Sequence, residues 1–169
     1  MRLKPYALIF YKSFYLFRAK LLLGDDGMKY LFAVIAGVCM TFQGIFNTRL
    51  SEKIGLWETN VFVQGTALVF TFIMMMILGD GSFKDITSAK KLYLTGGIFG
   101  TIIILTVMLS IEASSPTVAI GVILISQLTS AGIIDAFGWF GTEVIEFTLF
   151  KYIGLGLMIS GIILFNFIK

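Results

Sequence analysis

Few side chains in this sequence can do chemistry in an apolar medium, and their spacing sets what that chemistry is. Gln43 and Asn47 stand four apart, so on a helix they share one face. Gln64 is an amide well inside the apolar stretch 59–79. Gln127, Ser130, Ala131 and Ile134 follow one helical stripe, with Asp135 about 80° round from Gln127. Glu112 closes the apolar stretch before it. Neutral amides and hydroxyls buried in hydrocarbon do one of two things. They line a path for a polar solute, or they bond across helices at roughly 0.6 kcal/mol each. Both readings stay open for Gln43, Asn47, Gln64, Gln127 and Ser130. Asp135 and Glu112 differ, because an ionised carboxylate at mid-helix costs about 2.5–3.5 kcal/mol. Each either sits in water at an interface or is a candidate for coupling a solute to protons or sodium ions.

Other chemistries are excluded by composition. The chain has no His and one Cys, so it lacks an imidazole base and a thiolate metal site. No glycine-rich phosphate loop follows a strand. The eight methionines, three of them at 74–76, suit volume filling better than metal binding. Thirteen basic against ten acidic residues leave a scattered charge of +3, unlike the clustered cations that grip nucleic acid. These features predict a protein that is no enzyme and takes neither metal nor cofactor.

Those polar residues must be positioned by helices in a membrane. Of the 169 residues 57% are apolar and 14% charged, with mean hydropathy +0.94. A soluble domain carries nearer 25% charged residues. Stretches free of charge at 30–48, 59–79, 92–111, 116–135 and 152–168 each match the roughly 20 residues that cross a ~30 Å core. Barrel strands alternate apolar and polar, whereas 69–78 is apolar almost throughout. The expected fold is all-α, an integral membrane bundle of five transmembrane helices. Its first connector, 47–60, is short enough to prolong the helices on either side.

Residues 1–27 stand apart. Arg2, Lys4, Lys12, Arg18 and Lys20 interrupt every apolar run there, so no span forms. The stretch reads either as a basic interfacial helix on anionic lipid or as sequence upstream of a natural start at Met28, and the second fits better. The membrane domain is then 28–169. Five spans place Lys29, Lys84, Lys90, Lys91 and Lys151 on the N-terminal face, and Arg49, Lys53 and Lys169 opposite. Positive-inside puts the N-terminus in the cytoplasm by five to three. So narrow a margin leaves room for dual orientation, or for pairing with an inverted partner.

Small residues mark close helix approach. Ala33, Gly37, Thr41 and Thr48 form a stripe in the first span, Gly96 and Gly100 a GxxxG in the third, and Gly156 and Ser160 repeat the spacing in the fifth. They predict packing within one chain or between two.

Three features together resemble a known family: Asn47-Thr48-Arg49-Leu50 closing the first span, the helix of Gln64, and above all Gln127-Leu128-Thr129-Ser130-Ala131-Gly132-Ile133-Ile134-Asp135-Ala136-Phe137-Gly138-Trp139-Phe140-Gly141. Residues 28–169 are similar to the short five-helix branch of the drug/metabolite transporter (DMT) superfamily, the YdcZ-like inner-membrane exporters. The resemblance implies a bacterial plasma-membrane protein equivalent to half of a ten-helix inverted repeat, with its site near the midplane. The working unit would be an antiparallel dimer, of this chain or of this chain with a homologous one. It would export a small solute by alternating access between the two units. Related four-helix exporters carry a carboxylate in their first helix, and 30–48 here has none. The rival expectation is a membrane subunit that transports nothing and scaffolds or regulates a partner.

Overall fold

The computed structural model describes Lys12, Ser13, Leu16 and residues 26–167. Most of the expected extension 1–27, together with Lys169, lies outside the described residues. Among the described residues 26–167 five α-helices follow in order: α1 Asp26–Ile54, α2 Leu56–Leu78, α3 Gly96–Ala113, α4 Pro116–Phe137 and α5 Leu149–Phe167. No strand occurs among the described residues. Segments Tyr30–Ile54, Leu56–Leu78, Lys91–Ala113 and Pro116–Phe137 are long and apolar enough to cross a membrane. The fifth helix is shorter; its 19 residues rise about 28 Å, still near one hydrocarbon thickness. The chain divides into two compact units within α3, after Thr106.

In the first unit α1 and α2 pack against each other with a single residue between them. The expected connector is therefore almost entirely helical. Gly55 makes the break, at φ 96° and ψ 159°, a backbone region open in practice only to glycine. Its N–H donates to the Ser51 carbonyl at 2.9 Å and its carbonyl accepts from the Thr59 N–H at 3.1 Å. Backbone bonding thus continues through the break, as an apolar medium requires. After α2, Gly79 donates its N–H to the Met75 carbonyl at 2.8 Å and the chain turns outward. Two 3₁₀ turns, Phe83–Ser88 and Lys91–Thr95, carry Lys84 and Lys91, and Lys90 caps the second.

The second unit is built on the α4/α5 pair. Ser115 caps α4 by accepting from the Val118 N–H at 3.4 Å, and Pro116 fits the first turn, where its missing N–H costs nothing. Gly138, in the left-handed region at φ 61°, ends the helix and returns its N–H to the carbonyls of Ile134 and Asp135. The chain then folds back, with the Ile145 N–H on the Asp135 carbonyl at 3.0 Å. Two contacts set the approach of α5. Ile162 lies over Gly121, and the Phe147 ring covers Gly132 so closely that any Cβ there would enter it.

Burial runs opposite to a water-soluble protein. Tyr30, Phe46, Val61, Leu68, Phe70, Ile98 and many other large apolar side chains are exposed. The buried side chains of the first unit are polar instead: Asn47, Thr48, Thr59 and Asn60. In the second unit Met108, Ile111 and Ala119 are buried. Hydrocarbon outside makes exposed Phe and Leu inexpensive and confines polar groups to the protein interior.

Candidate functional site: a polar seam and an amphipathic groove

The polar seam of the first unit starts on α2. Asn60 and Gln64 are four apart and share a face, which meets Thr101 on α3. Asn60 Nδ2 donates to the Thr101 backbone carbonyl at 2.9 Å. Gln64 Nε2 donates to Thr101 Oγ1 at 3.3 Å, and that hydroxyl passes its own proton to the Gly97 carbonyl at 3.1 Å. Close approach is possible because Gly100 lies beside Gln64; a Cβ there would stand 3.4 Å from Nε2. Each amide therefore donates one N–H to the same residue. Their carbonyl oxygens make no hydrogen bond among the described residues. Beside them Thr59 is fully buried and its hydroxyl has no partner, although most helical Thr hydroxyls here bond back four residues, as Thr48 does to Gly44 at 2.8 Å. An orphaned buried hydroxyl costs about 1–3 kcal/mol.

The sequence-expected residues fall on either side of this seam. Gln64 is a member of it. Asn47 is buried at 7% exposure, one turn beyond the exposed Gln43. Gln127, Ser130 and Glu112 are exposed, and Asp135 is half-buried. Asn60, Thr59 and Thr101 do not appear among the expected residues. The i,i+4 rule that links Gln43 to Asn47 also links Asn60 to Gln64 and is the signal for Asn60, while nothing local marks Thr59 or Thr101. Of the small residues expected to pack, Gly100 meets Gln64, while a Cβ on Gly37, Gly96 or Gly156 would meet nothing within 4 Å.

The second feature is a groove of about 450 Å³ between α4 and α5. Asp135 and Lys151 stand at one end, two residues from the end of α4 and the start of α5 respectively. Ala131, Gly132, Gly154, Leu155, Leu128 and Met158 continue it seven residues down both helices, about 10 Å. Lys151 is held from two sides: its Nζ donates to the Glu146 carbonyl at 3.0 Å and lies 5.6 Å from the Phe147 ring centroid. Tyr152 fixes that ring edge-on at 4.6 Å. The Asp135 carboxylate makes no ion pair or hydrogen bond among the described residues. From sequence, Lys151 registers only as a charge on one membrane face; the groove gives it a neighbourhood.

A family model matches residues 28–164, a stretch holding most of all five helices and every residue of the seam and the groove. That model, DMT_YdcZ, is described as "Putative inner membrane exporter, YdcZ". The chain belongs to this family. The resemblance expected from the Gln127–Gly141 block thus holds over four-fifths of the sequence. No curated protein and no solved structure matches the chain. As a YdcZ-family protein it is a multi-pass inner-membrane exporter, in a family of transporters and not of enzymes. Its surroundings are the lipid bilayer and the small solutes such exporters carry.

Proposed function

We propose that the chain is one half of a secondary transporter, and that it exports a small solute by alternating access as an antiparallel dimer. The observation that carries this reading is the polar seam. Asn60 and Gln64 each donate to Thr101, and among the described residues their two carbonyl oxygens and the buried Thr59 hydroxyl have no hydrogen-bond partner. Unspent acceptors in a membrane protein favour a donor-bearing solute or a cation that the chain itself does not supply. Gln43, Asn47, Gln127 and Ser130 extend that lining when a second copy, or a homologous five-helix chain, closes the cavity. An odd number of helices supports inversion, because a two-fold axis in the membrane plane turns two such units into an inverted repeat. The open surfaces at Gly37, Gly96 and Gly156 supply close-packing faces for that partner. Glu112 and Asp135 are the carboxylates available for coupling export to protons or sodium ions. No other cofactor enters this reading.

The test joins orientation to flux. Reporters fused after Lys169 should signal from both faces, or an inverted homologue should co-purify. Single cysteines at opposite ends of α1 should cross-link between copies, in a background where Cys39 is Ser. Metabolite efflux from cells overproducing the chain should rise, and Asn60→Leu should lower it. A uniformly oriented single copy that transports, or a chain that only stabilises an unrelated partner, overturns the proposal.

A further inference from the structure

We propose that the α4/α5 groove is a binding site for a zwitterionic phospholipid that carries a free amine, with its headgroup on Asp135 and Lys151 and one acyl chain along the groove. The inference shares Asp135 with the export reading but is tested apart from it, since it predicts retained lipid and not flux.

The chemistry of the walls selects the occupant. At one end stand an unpaired carboxylate and an ammonium, so the complementary ligand carries both charges. Lys151 uses one N–H on the Glu146 carbonyl and keeps two for a phosphate. The Phe147 ring under its Nζ holds the ammonium in place without neutralising it. The Asp135 carboxylate has all its lone pairs free, which suits an amine able to donate hydrogen bonds. A quaternary ammonium has no such proton.

Position makes that ligand a lipid. Both charged residues lie within two residues of a helix end, the depth at which headgroups sit when α4 crosses the bilayer. Below them the lining turns apolar for about 10 Å, through Ala131, Gly132, Gly154, Leu155, Leu128 and Met158. Gly154 on α5 leaves open space in which a chain can lie against backbone, and the volume of about 450 Å³ falls in the ordinary range for ligand sites. A headgroup and its first methylenes reproduce this order of charge, then hydrocarbon, along one axis.

The experiment uses the full chain in bilayers of equal parts phosphatidylethanolamine, phosphatidylcholine and phosphatidylglycerol, with retained lipid identified by native mass spectrometry. Phosphatidylethanolamine should be held about tenfold over either competitor, the ratio one charge-assisted hydrogen bond supplies. Asp135→Asn should erase that preference, and Lys151→Gln should lower retention of all three. Gly154→Leu tests the groove without touching either charge. A Cβ at Gly154 meets nothing within 4 Å, so the fold tolerates it while the side chain fills the channel. It should release lipid with helix content unchanged. Equal retention of the three lipids overturns the proposal, as does a preference that survives Asp135→Asn. So does lipid held undiminished by Gly154→Leu, including the case where that variant alters only the oligomeric state because a second copy occupies the groove.

Discussion

Asn60 on α2 donates its side-chain amide to the backbone carbonyl of Thr101 on α3, 41 residues along the chain, at 2.9 Å. Thr101 also receives Gln64, so one residue of α3 fixes the rotation of α2 through two amides. In a bundle whose other contacts are apolar and alike in every direction, such bonds decide which faces meet.

The two bonds should respond differently to substitution. Thr101→Val removes the hydroxyl that accepts from Gln64 and leaves the carbonyl that accepts from Asn60. A double-mutant cycle of Thr101→Val with Gln64→Leu should give a coupling of about 0.6 kcal/mol. Asn60→Leu should cost more, up to about 1.7 kcal/mol. Reversible unfolding in micelles measures all three, and a cycle with no coupling would remove the Gln64 bond from the account.

Gly55 should be intolerant of change. Its φ of 96° with extended ψ is a glycine conformation, and a Cβ would also meet the Glu58 carboxylate. Gly55→Ala should destabilise by about 1–3 kcal/mol, read as a lower melting temperature in detergent. Gly37→Ala, in open space on a regular helix, should be neutral or stabilising by up to about 1 kcal/mol.

Gly37 should matter for assembly where it does not matter for the fold. A Cβ at Gly37 or Gly156 meets nothing within 4 Å, so monomer stability should hold in Gly37→Leu and Gly156→Leu. If those surfaces receive a second copy, the dimer fraction in lipid should fall about tenfold, as one blocked close-packed interface of 1–2 kcal/mol implies. Single-molecule photobleaching in liposomes counts the copies.

Phe147 and Gly132 form a pair that should show rescue. Gly132→Ala places a methyl in the Phe147 ring and should cost about 1–3 kcal/mol through overpacking. Adding Phe147→Leu should return part of that loss. An additive double variant, measured by thermal unfolding, would mean that the ring moves aside freely.

The coupling carboxylate is found by neutralising Glu112 and Asp135 in turn. Glu112→Gln or Asp135→Asn should abolish gradient-driven efflux while insertion and yield stay unchanged. Efflux unaffected by either substitution removes carboxylate coupling at these positions.

Much of this molecule is written in local sequence. The five spans, the turns at Gly79, Ser114-Ser115-Pro116 and Gly138, and the YdcZ-like block follow from transfer free energies and turn chemistry, which sum over neighbouring residues. What lies further apart was less legible. The connector 47–60, short enough to prolong both helices despite its four charges, does so, but the break at Gly55 is not marked in the sequence. Asn60 and Thr101 did not stand out, although Gln64 did, because helices apolar all round give no directional signal for which polar residue faces which. Lys151 reads as a topology charge until the fold back from Gly138 sets it beside Phe147 and across from Asp135. Sequence by itself determined where the chain is helical and where it meets lipid. Only tertiary structure decided the rotation and register of each helix, because those depend on side chains interlocking between segments tens of residues apart.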